Sequence, residues 1–400
     1  MEECKVKKKS LKKAAVLAIA GAMAVTSLAA CGGSDSGKDS EGGSSDSLTM
    51  AWWGNQVRNE RTQQALDAYK EESGITVSGQ FYQWGDYWSK MATSAAGKKM
   101  PDVIQMDMSY IQQYVDKGQL LDLTPYIEDG TLDTSNISED IVNMGKVGDG
   151  IYGIAAGTSA SCMFYNKTLL DELGITINDN MTLDEFIDIS KQVYEETGYR
   201  SNLYHYGLYM DMYARANDIQ ASDKLGGDSA DDYLPYFETL ETGIKEGWQI
   251  SPSQAADTDS ALTTIPTTDP QKSNYVKPAM YFSVSADTAN PEEAVKLLNY
   301  LTNSETAYDI LLAERGVPAS TAISEAIMDK LSPAEQENAN FVNNVIAPNS
   351  SPMPPFPVEG STEAQDLLRK LEEKVKYGEY TAQQAADEYF TEANKMLQGE

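Results

Sequence analysis

The chain has 400 residues, 41% of them hydrophobic, and a formal net charge of -30. That length exceeds one ordinary core and favours two lobes. An acidic surface repels nucleic acid and anionic lipid, which excludes nucleic acid as a partner and suits an uncharged or cationic ligand.

The first segment is a targeting signal and stands apart from the fold. Residues 1–30 carry the basic run KVKKKSLKK and then the apolar run AAVLAIAGAMAVTSLAA. The apolar run is shorter than the ~20 residues a membrane span needs. It closes in Leu28, Ala29, Ala30 and Cys31, which resembles a bacterial lipobox at every position. The resemblance implies cleavage before Cys31 and acylation of its thiol. Residues 31–47 are rich in Gly, Ser and Asp and read as a flexible tether. Lipid, tether and acidic body describe a monomer held at the extracellular face of a cell membrane. With Cys4 removed and Cys31 acylated, Cys162 is the remaining thiol, so no internal disulfide is expected. Cys162, in ASCMFYN, reads as buried and inert.

From Leu48 onward strand and helix patterns alternate. LTMAWW reads as a buried strand, and NERTQQALDAYKEESG as a helix with Thr62, Ala65, Leu66 and Tyr69 on one face. ITVSGQF is a strand, GDYWSKMATSAAG a helix, PDVIQM a strand and SYIQQYVDKG a helix. This alternation predicts a mostly parallel sheet covered on both faces. GIYGIAAGTSASCMFYN reads as two extended segments crossing between lobes. MTLDEFIDISKQVYEETG is a helix opened by a Thr182–Glu185 capping box. YGLYM reads as a short strand, 231–247 as a helix, and YVKPAMYFSVSA as a strand. NPEEAVKLLNYLTN starts a helix at Asn290 and Pro291. The remainder is helical apart from the loop NSSPMPPFPVEG.

In open α/β sheets, ligands bind beyond the carboxyl ends of the strands. Those ends carry Trp53, Asn55 and Arg58, then Trp84, Asp86 and Tyr87, then Asp107 and Tyr110, and in the second lobe Asp211 between Tyr209 and Tyr213. Rings and carboxylates together suit a sugar. A ring offers a flat apolar platform to the C–H face of a pyranose, and a carboxylate accepts charge-assisted bonds from neighbouring hydroxyls. Asn55 and Arg58 can donate to hydroxyl or ring oxygens. Each position has a structural alternative: Asp86 and Asp107 as helix caps, Trp88 and Trp248 as core, Tyr165 as packing. No metal or cofactor is expected. His205 is the only histidine, and no P-loop, dinucleotide or zinc-protease motif occurs.

The segments MAWWGNQVRNERTQQALDAYKEESGITV, GKKMPDVIQMD, YGIAAGTSASCMFYNKTLLDELGI, MTLDEFIDISKQV, NPEEAVKLLNYLTN and LLAERGVPAS occur in this order. Together they resemble the family 1 extracellular solute-binding proteins, the carbohydrate-binding components of ABC importers in Gram-positive bacteria. The resemblance implies a type II periplasmic-binding-protein-like fold. Lobe one would be 48–150 plus 275–315 and lobe two 151–274 plus 316–400, each a mostly parallel sheet flanked by helices. A sugar or oligosaccharide would lie in the cleft, the lobes would close on it, and the closed form would dock on an ABC permease. Contact positions carry over to Trp53, Asn55, Arg58, Trp84, Asp86, Asp107 and Tyr110, with Arg315 and Gly316 in a turn near the hinge and cleft. One departure stands out. Only QISPSQAADTDSA lies between Trp248 and Leu262, roughly thirty residues or more below the family pattern. Lobe two is therefore expected to be shortened.

Two other functions use the same residues. Asp86 and Asp107 can flank a glycosidic bond in an extracellular hydrolase, and an acidic aromatic site also suits a polyamine or peptide. A binding protein, not an enzyme, is the leading expectation. Adjacent Trp52 and Trp53 point to opposite faces of their strand. Trp52→Ala is expected to cost mainly stability, about 3–5 kcal/mol, and Trp53→Ala mainly sugar affinity; chemical denaturation and titration of both variants check the asymmetry.

Overall fold

The structure is a computed structural model that describes residues 47–204, 207–250 and 261–399. The signal segment, the tether up to residue 46 with Cys31, His205 and the core of the shortened stretch (251–260) lie outside the described residues.

A five-stranded sheet organises the first lobe. Strand β1 (Ser47–Trp53) pairs in parallel with β2 (Thr76–Tyr82) on one side and β3 (Val103–Met106) on the other. Two more strands, β4 (Ile154–Ala160) and β5 (Val276–Val284), complete the order β2-β1-β3-β5-β4, with β5 antiparallel to both its neighbours. The sheet is therefore mixed, where alternation alone predicted a mostly parallel one. The reason is the crossing between lobes. The chain leaves the sheet along β4 and re-enters along β5, which slots in between β3 and β4 running the other way.

The register shows where the crossing goes. Met106, the last residue of β3, sits opposite Tyr281, while β4 and β5 stay paired out to Ala160 and Val276. The β4–β5 ribbon thus projects past the carboxyl edge of β1–β3. An irregularity at Gly157 interrupts this ribbon, and there the turn 313–317 docks on it. Thr158 N–H donates to the Val317 carbonyl at 2.6 Å, and Val317 N–H returns a bond to the Thr158 carbonyl at 2.9 Å. Gly316 in this turn has φ 97°, and a Cβ there would lie 2.7 Å from the Thr158 carbonyl oxygen, so the position requires glycine.

Helices cover both faces at β1. Helix α1 (Gln56–Ser73) buries Thr62, Ala65, Leu66 and Tyr69, the stripe read from the sequence, and ends at Gly74. Trp52 lies on the α1 side, fully buried at 0% exposure, with its indole N–H donating to Asn59 Oδ1 at 2.9 Å. Its ring lies over Gly79, where a Cβ would come within 2.6 Å. Helix α2 (Trp84–Ala96) buries Tyr87, Trp88 and Met91 against the opposite face. Helix α3 (Ile111–Asp116) follows β3.

A second core gathers around tyrosines. Helix α4 (Leu183–Thr197) opens with the expected Thr182–Glu185 capping box. Helix α5 (Leu208–Ala216) lies where YGLYM suggested a strand. Tyr209, Met210 and every residue from Met212 to Ala216 are buried, so the helix is enclosed nearly all round and shows no amphipathic period for a sequence window to find. Helix α6 (Leu234–Glu246) contributes Tyr236, Phe237 and Leu240. In the first core, α7 (Pro291–Asn303) and α8 (Glu305–Leu311) are separated by Ser304, which caps α8. Helices α9 (Ser361–Lys376) and α10 (Ala382–Gln398) close the second core with Leu368, Leu371, Tyr389 and Ala393.

Two outcomes differ from the sequence reading. Val317, Ile323, Ile327, Leu331 and Val342 pack into the first core, not the second, because the Thr158–Val317 bridge returns the chain to the first sheet. Among the described residues, the second lobe has one two-stranded antiparallel ribbon, Met163–Tyr165 with Ala261–Thr263, and a parallel sheet is not formed there. A parallel strand needs a crossover of a dozen or more residues, and the stretch from Trp248 to Leu262 is too short to hold both.

Glu372 is buried in the second core, accepting from Tyr236 OH at 2.6 Å and facing Lys376 Nζ at 3.4 Å. Desolvation pushes its carboxyl above the ordinary 4.5, against the pull of Lys376 and Tyr236. A folded pKa raised above the unfolded one stabilises fully below the unfolded value, and that contribution is lost as pH rises through the folded value. Glu372→Gln is therefore expected to gain stability relative to the wild type as pH rises from 4 to 8, measured by urea unfolding at each pH.

Candidate functional site

β1, β2 and β3 run in parallel, so their carboxyl ends meet at one edge. Trp53 is the last residue of β1, and α2 starts two residues after β2, directly above it. The first turns of α2 therefore pile rings over Trp53. Trp84 meets it edge to face at 4.9 Å and 87°, Tyr87 at 5.2 Å and 66°, and Trp88 at 5.7 Å and 40°. Tyr110, just ahead of α3, lies flat against Trp88 with centroids 3.8 Å apart and planes at 16°. Tyr114 reaches the same ring edge-on at 6.1 Å.

Exposure ranks these rings. Trp84 is 45% exposed, whereas Trp53 is 9% and Trp88 8%. Trp53 is thus not the outer platform expected from the sequence. Three rings of α2 close over it, and it supports Trp84 from behind. Trp84 presents the accessible apolar surface.

The polar residues divide in the same way. Asp86 is exposed in the first turn of α2 beside Trp84, and it does not cap that helix, whose N-cap is Gln83. Asp107 is half-buried. Its Oδ1 accepts from Ser109 N–H at 2.9 Å, and its carbonyl accepts from the Tyr110 and Ile111 amides at 3.0 and 3.1 Å. Asp107 therefore shapes the turn that carries Tyr110.

Asn55 and Arg58 were expected as rim donors and are committed to the fold. Asn55 caps α1, its Oδ1 accepting from Arg58 N–H at 3.0 Å. The Arg58 guanidinium grips Glu314 through Nε at 2.8 and 2.9 Å and donates from Nη1 to the Trp53 carbonyl at 3.2 Å. The physical reason is the turn 313–317, which brings a carboxylate from 256 residues away to the strand end.

Arg315, also expected near the cleft, lies behind the rings. Its Nε donates to Gln105 Oε1 at 2.9 Å and its Nη2 to Thr62 Oγ1 at 2.7 Å, and its guanidinium lies 5.6 Å over Phe282. Gln105 in turn donates to the Trp53 carbonyl at 3.1 Å and receives Tyr87 OH on its own carbonyl at 2.6 Å. Burial, with Arg58 adding and Glu314 opposing, pushes Arg315 down to about 10. The Trp53 carbonyl thus receives two donors, each tied to the 314–316 turn. Gly316 shares that turn.

Asp211 falls elsewhere. It sits in the first turn of α5, accepts from Tyr275 OH at 2.7 Å, and lies one turn from Arg215. Arg215 stacks over the Tyr275 ring at 4.3 Å and donates to the Ser273 and Pro352 carbonyls at 3.0 and 2.8 Å. This is a packing network of the second core, formed because the predicted strand is a helix.

The sequence reading did not foresee Gln105 or Glu314 in this framework, while Trp88, read as core, is buried in it. Trp88 follows Trp84 by four residues, one helical turn, so both rings share a face; that spacing was the available signal. A separate concavity of about 510 Å³ is lined by Asp179, Leu262, Gln336, Asn340, Asn344 and Val345, among others. None of the ring cluster lines it. Among the described residues, no group of His, Cys, Asp and Glu is placed to hold a metal, and no helix is long and apolar enough to cross a membrane.

A family model of bacterial extracellular solute-binding proteins matches residues 53–308. An arabinooligosaccharide-binding protein of Halalkalibacterium halodurans is 31% identical over 104 residues, covering 26% of this chain and 23% of that protein, so the match spans under a quarter of the relative. Among solved structures, a family 1 extracellular solute-binding protein of Alicyclobacillus acidocaldarius superposes with a TM-score of 0.74 at 25% identity, covering 88% of this chain and 98% of that one. An oligogalacturonide-binding protein of Yersinia enterocolitica shares the fold, with a TM-score of 0.71 at 18% identity over 88% of this chain and 99% of that one.

The ring ranking reverses one expectation of the sequence. Trp53→Ala opens a cavity and should cost about 3–5 kcal/mol, whereas Trp84→Ala should stay within about 1 kcal/mol; urea unfolding of both checks it. Arg315→Met strands Gln105 and Thr62 in the core and should cost about 2–4 kcal/mol from the two unsatisfied groups, read by the same method.

Proposed function

Because the chain belongs to the bacterial extracellular solute-binding proteins, we propose that it captures an oligosaccharide at the ring-lined edge of the first lobe and delivers it to an ABC permease in the membrane. The observation that carries the reading is Trp84, a large ring left 45% exposed on top of a stack of buried rings. An isolated exposed tryptophan needs no explanation; one packed against Trp53, Trp88 and Tyr110 is held rigid, which lowers the entropy cost of stacking a ligand on it. Asp86 and Asp107 stand beside it for sugar hydroxyls, with Tyr110 at the rim. The Halalkalibacterium halodurans relative, an arabinooligosaccharide-binding protein, supports a sugar chain as the ligand class.

The remaining parts of the reading follow the same logic. The β4–β5 ribbon and the 313–317 turn are the hinge about which the second lobe closes. Lipidation at Cys31 and the tether hold the protein at the extracellular face of the membrane, within reach of the permease. The protein binds without turnover.

Isothermal titration against a panel of arabino-, xylo-, malto- and cello-oligosaccharides tests the proposal. Saturable binding with no released reducing sugar is expected. A folded protein that binds none of them overturns the sugar assignment, and affinity for spermidine that falls steeply with salt would favour a polyamine instead.

A further inference from the structure

We propose that Trp88 is a sugar-stacking ring whose indole N–H is a donor to the ligand, and that Tyr110 occupies the sugar's place until the ligand arrives. This deepens the sugar-binding reading above and rests on it. Two independent observations converge on Trp88.

The first is an orphaned donor. Trp88 Nε1 is buried and has no hydrogen-bond partner. The other deeply buried indoles are satisfied, Trp52 by Asn59 Oδ1 and Trp248 by Glu246 Oε2. Leaving a buried N–H unpaired costs stability. A ligand oxygen would satisfy it.

The second is the partner on its face. The rings of Trp53, Trp84, Tyr87 and Tyr114 approach Trp88 tilted or edge-on, at 40° to 86°. Tyr110 alone lies flat on it, at 3.8 Å and 16°, the arrangement a pyranose face adopts on an aromatic ring. Tyr110 is only half-buried and makes no side-chain capping bond to α3. Its backbone amide is anchored to the Asp107 carbonyl, so its side chain can rotate away without unravelling the turn. The exposed Trp84 flanks both rings, 5.5 Å from Trp88 and 6.3 Å from Tyr110. A sugar chain that first lands on Trp84 is thus adjacent to the face that Tyr110 covers. A single ring pair is worth little, so displacing Tyr110 reduces affinity only about three- to tenfold.

Two measurements test this. Without ligand, hydrogen exchange of the ¹⁵N-labelled indoles reports the gate: Trp88 Nε1–H should exchange at least about tenfold faster than Trp52 Nε1–H, and Tyr110→Ala should speed it further. Equal protection of the two indoles overturns the gate. With arabinotriose, xylotriose and maltotriose as probes, calorimetry on the folded variants reads the site. Trp88→Phe should weaken binding at least about tenfold while the protein still folds, because it removes the orphaned donor and keeps a ring, with the smaller ring lowering Tm somewhat. Tyr110→Ala should tighten binding about three- to tenfold. Trp88→Phe with wild-type affinity, or Tyr110→Ala with weaker binding, overturns the proposal. Wild-type protein that binds none of the probes fails the sugar reading itself and the donor role with it, while the exchange experiment still decides whether Tyr110 moves.

Discussion

The carbonyl of Trp53 is the joint on which the first lobe depends. It ends β1 at the ligand edge, and it receives one bond from Gln105 and one from Arg58. Gln105 is held by Arg315 and Arg58 by Glu314, so both bonds lead to one turn. That turn is pinned to the β4–β5 ribbon by the reciprocal Thr158–Val317 pair. A buried guanidinium is costly unless its donors find partners. Arg315 finds them for Nε in Gln105 and for Nη2 in Thr62, while its Nη1 has no hydrogen-bond partner and faces Glu314 at 3.6 Å. The chemistry of the ring-lined edge and the mechanics of the interlobe ribbon therefore share a polar framework, and neither can shift far without disturbing it.

Much of this was legible in the sequence, for reasons that can be named. The α1 stripe of Thr62, Ala65, Leu66 and Tyr69 has helical spacing over a long window, and it is buried as read. The Thr182–Glu185 box is a local signal with a local outcome. The ring cluster was half legible. Trp53, Trp84 and Tyr110 each follow a strand, and parallel strands bring such positions to one edge. Their order of exposure was not legible, because it depends on how α2 settles over β1. Arg58 and Asn55 show the same limit. A donor near a strand end reads as a ligand contact until a residue distant in the chain, here Glu314, claims it.

The second lobe was less legible. A short apolar run at YGLYM looked like a strand, and the helix α5 that forms there is buried nearly all round, so periodicity could not separate the two. Asp211 moved with it, from a strand tip into a network with Tyr275 and Arg215. The absence of a parallel sheet from the second lobe, among the described residues, fits the chain length, since the stretch between Trp248 and Leu262 is too short for a strand and a crossover together. What stands there is a core of tyrosines packed mostly edge to face, in which Tyr209 and Tyr236 lie near parallel at 5.6 Å and 19° and Tyr236 OH donates to Glu372. Among the described residues, the ring cluster at a strand edge therefore belongs to the first lobe.

The central claim is that the ring-lined carboxyl edge of the first sheet is where a sugar chain binds. A crystal structure of the protein grown with a bound oligosaccharide tests it most directly. The account predicts a sugar ring packed by its C–H face, about 4 Å away, on Trp84 or Trp88, with hydroxyls turned to Asp86 and Asp107. A sugar bound instead in the groove lined by Gln336, Asn340 and Asn344, with the ring cluster untouched, would contradict it.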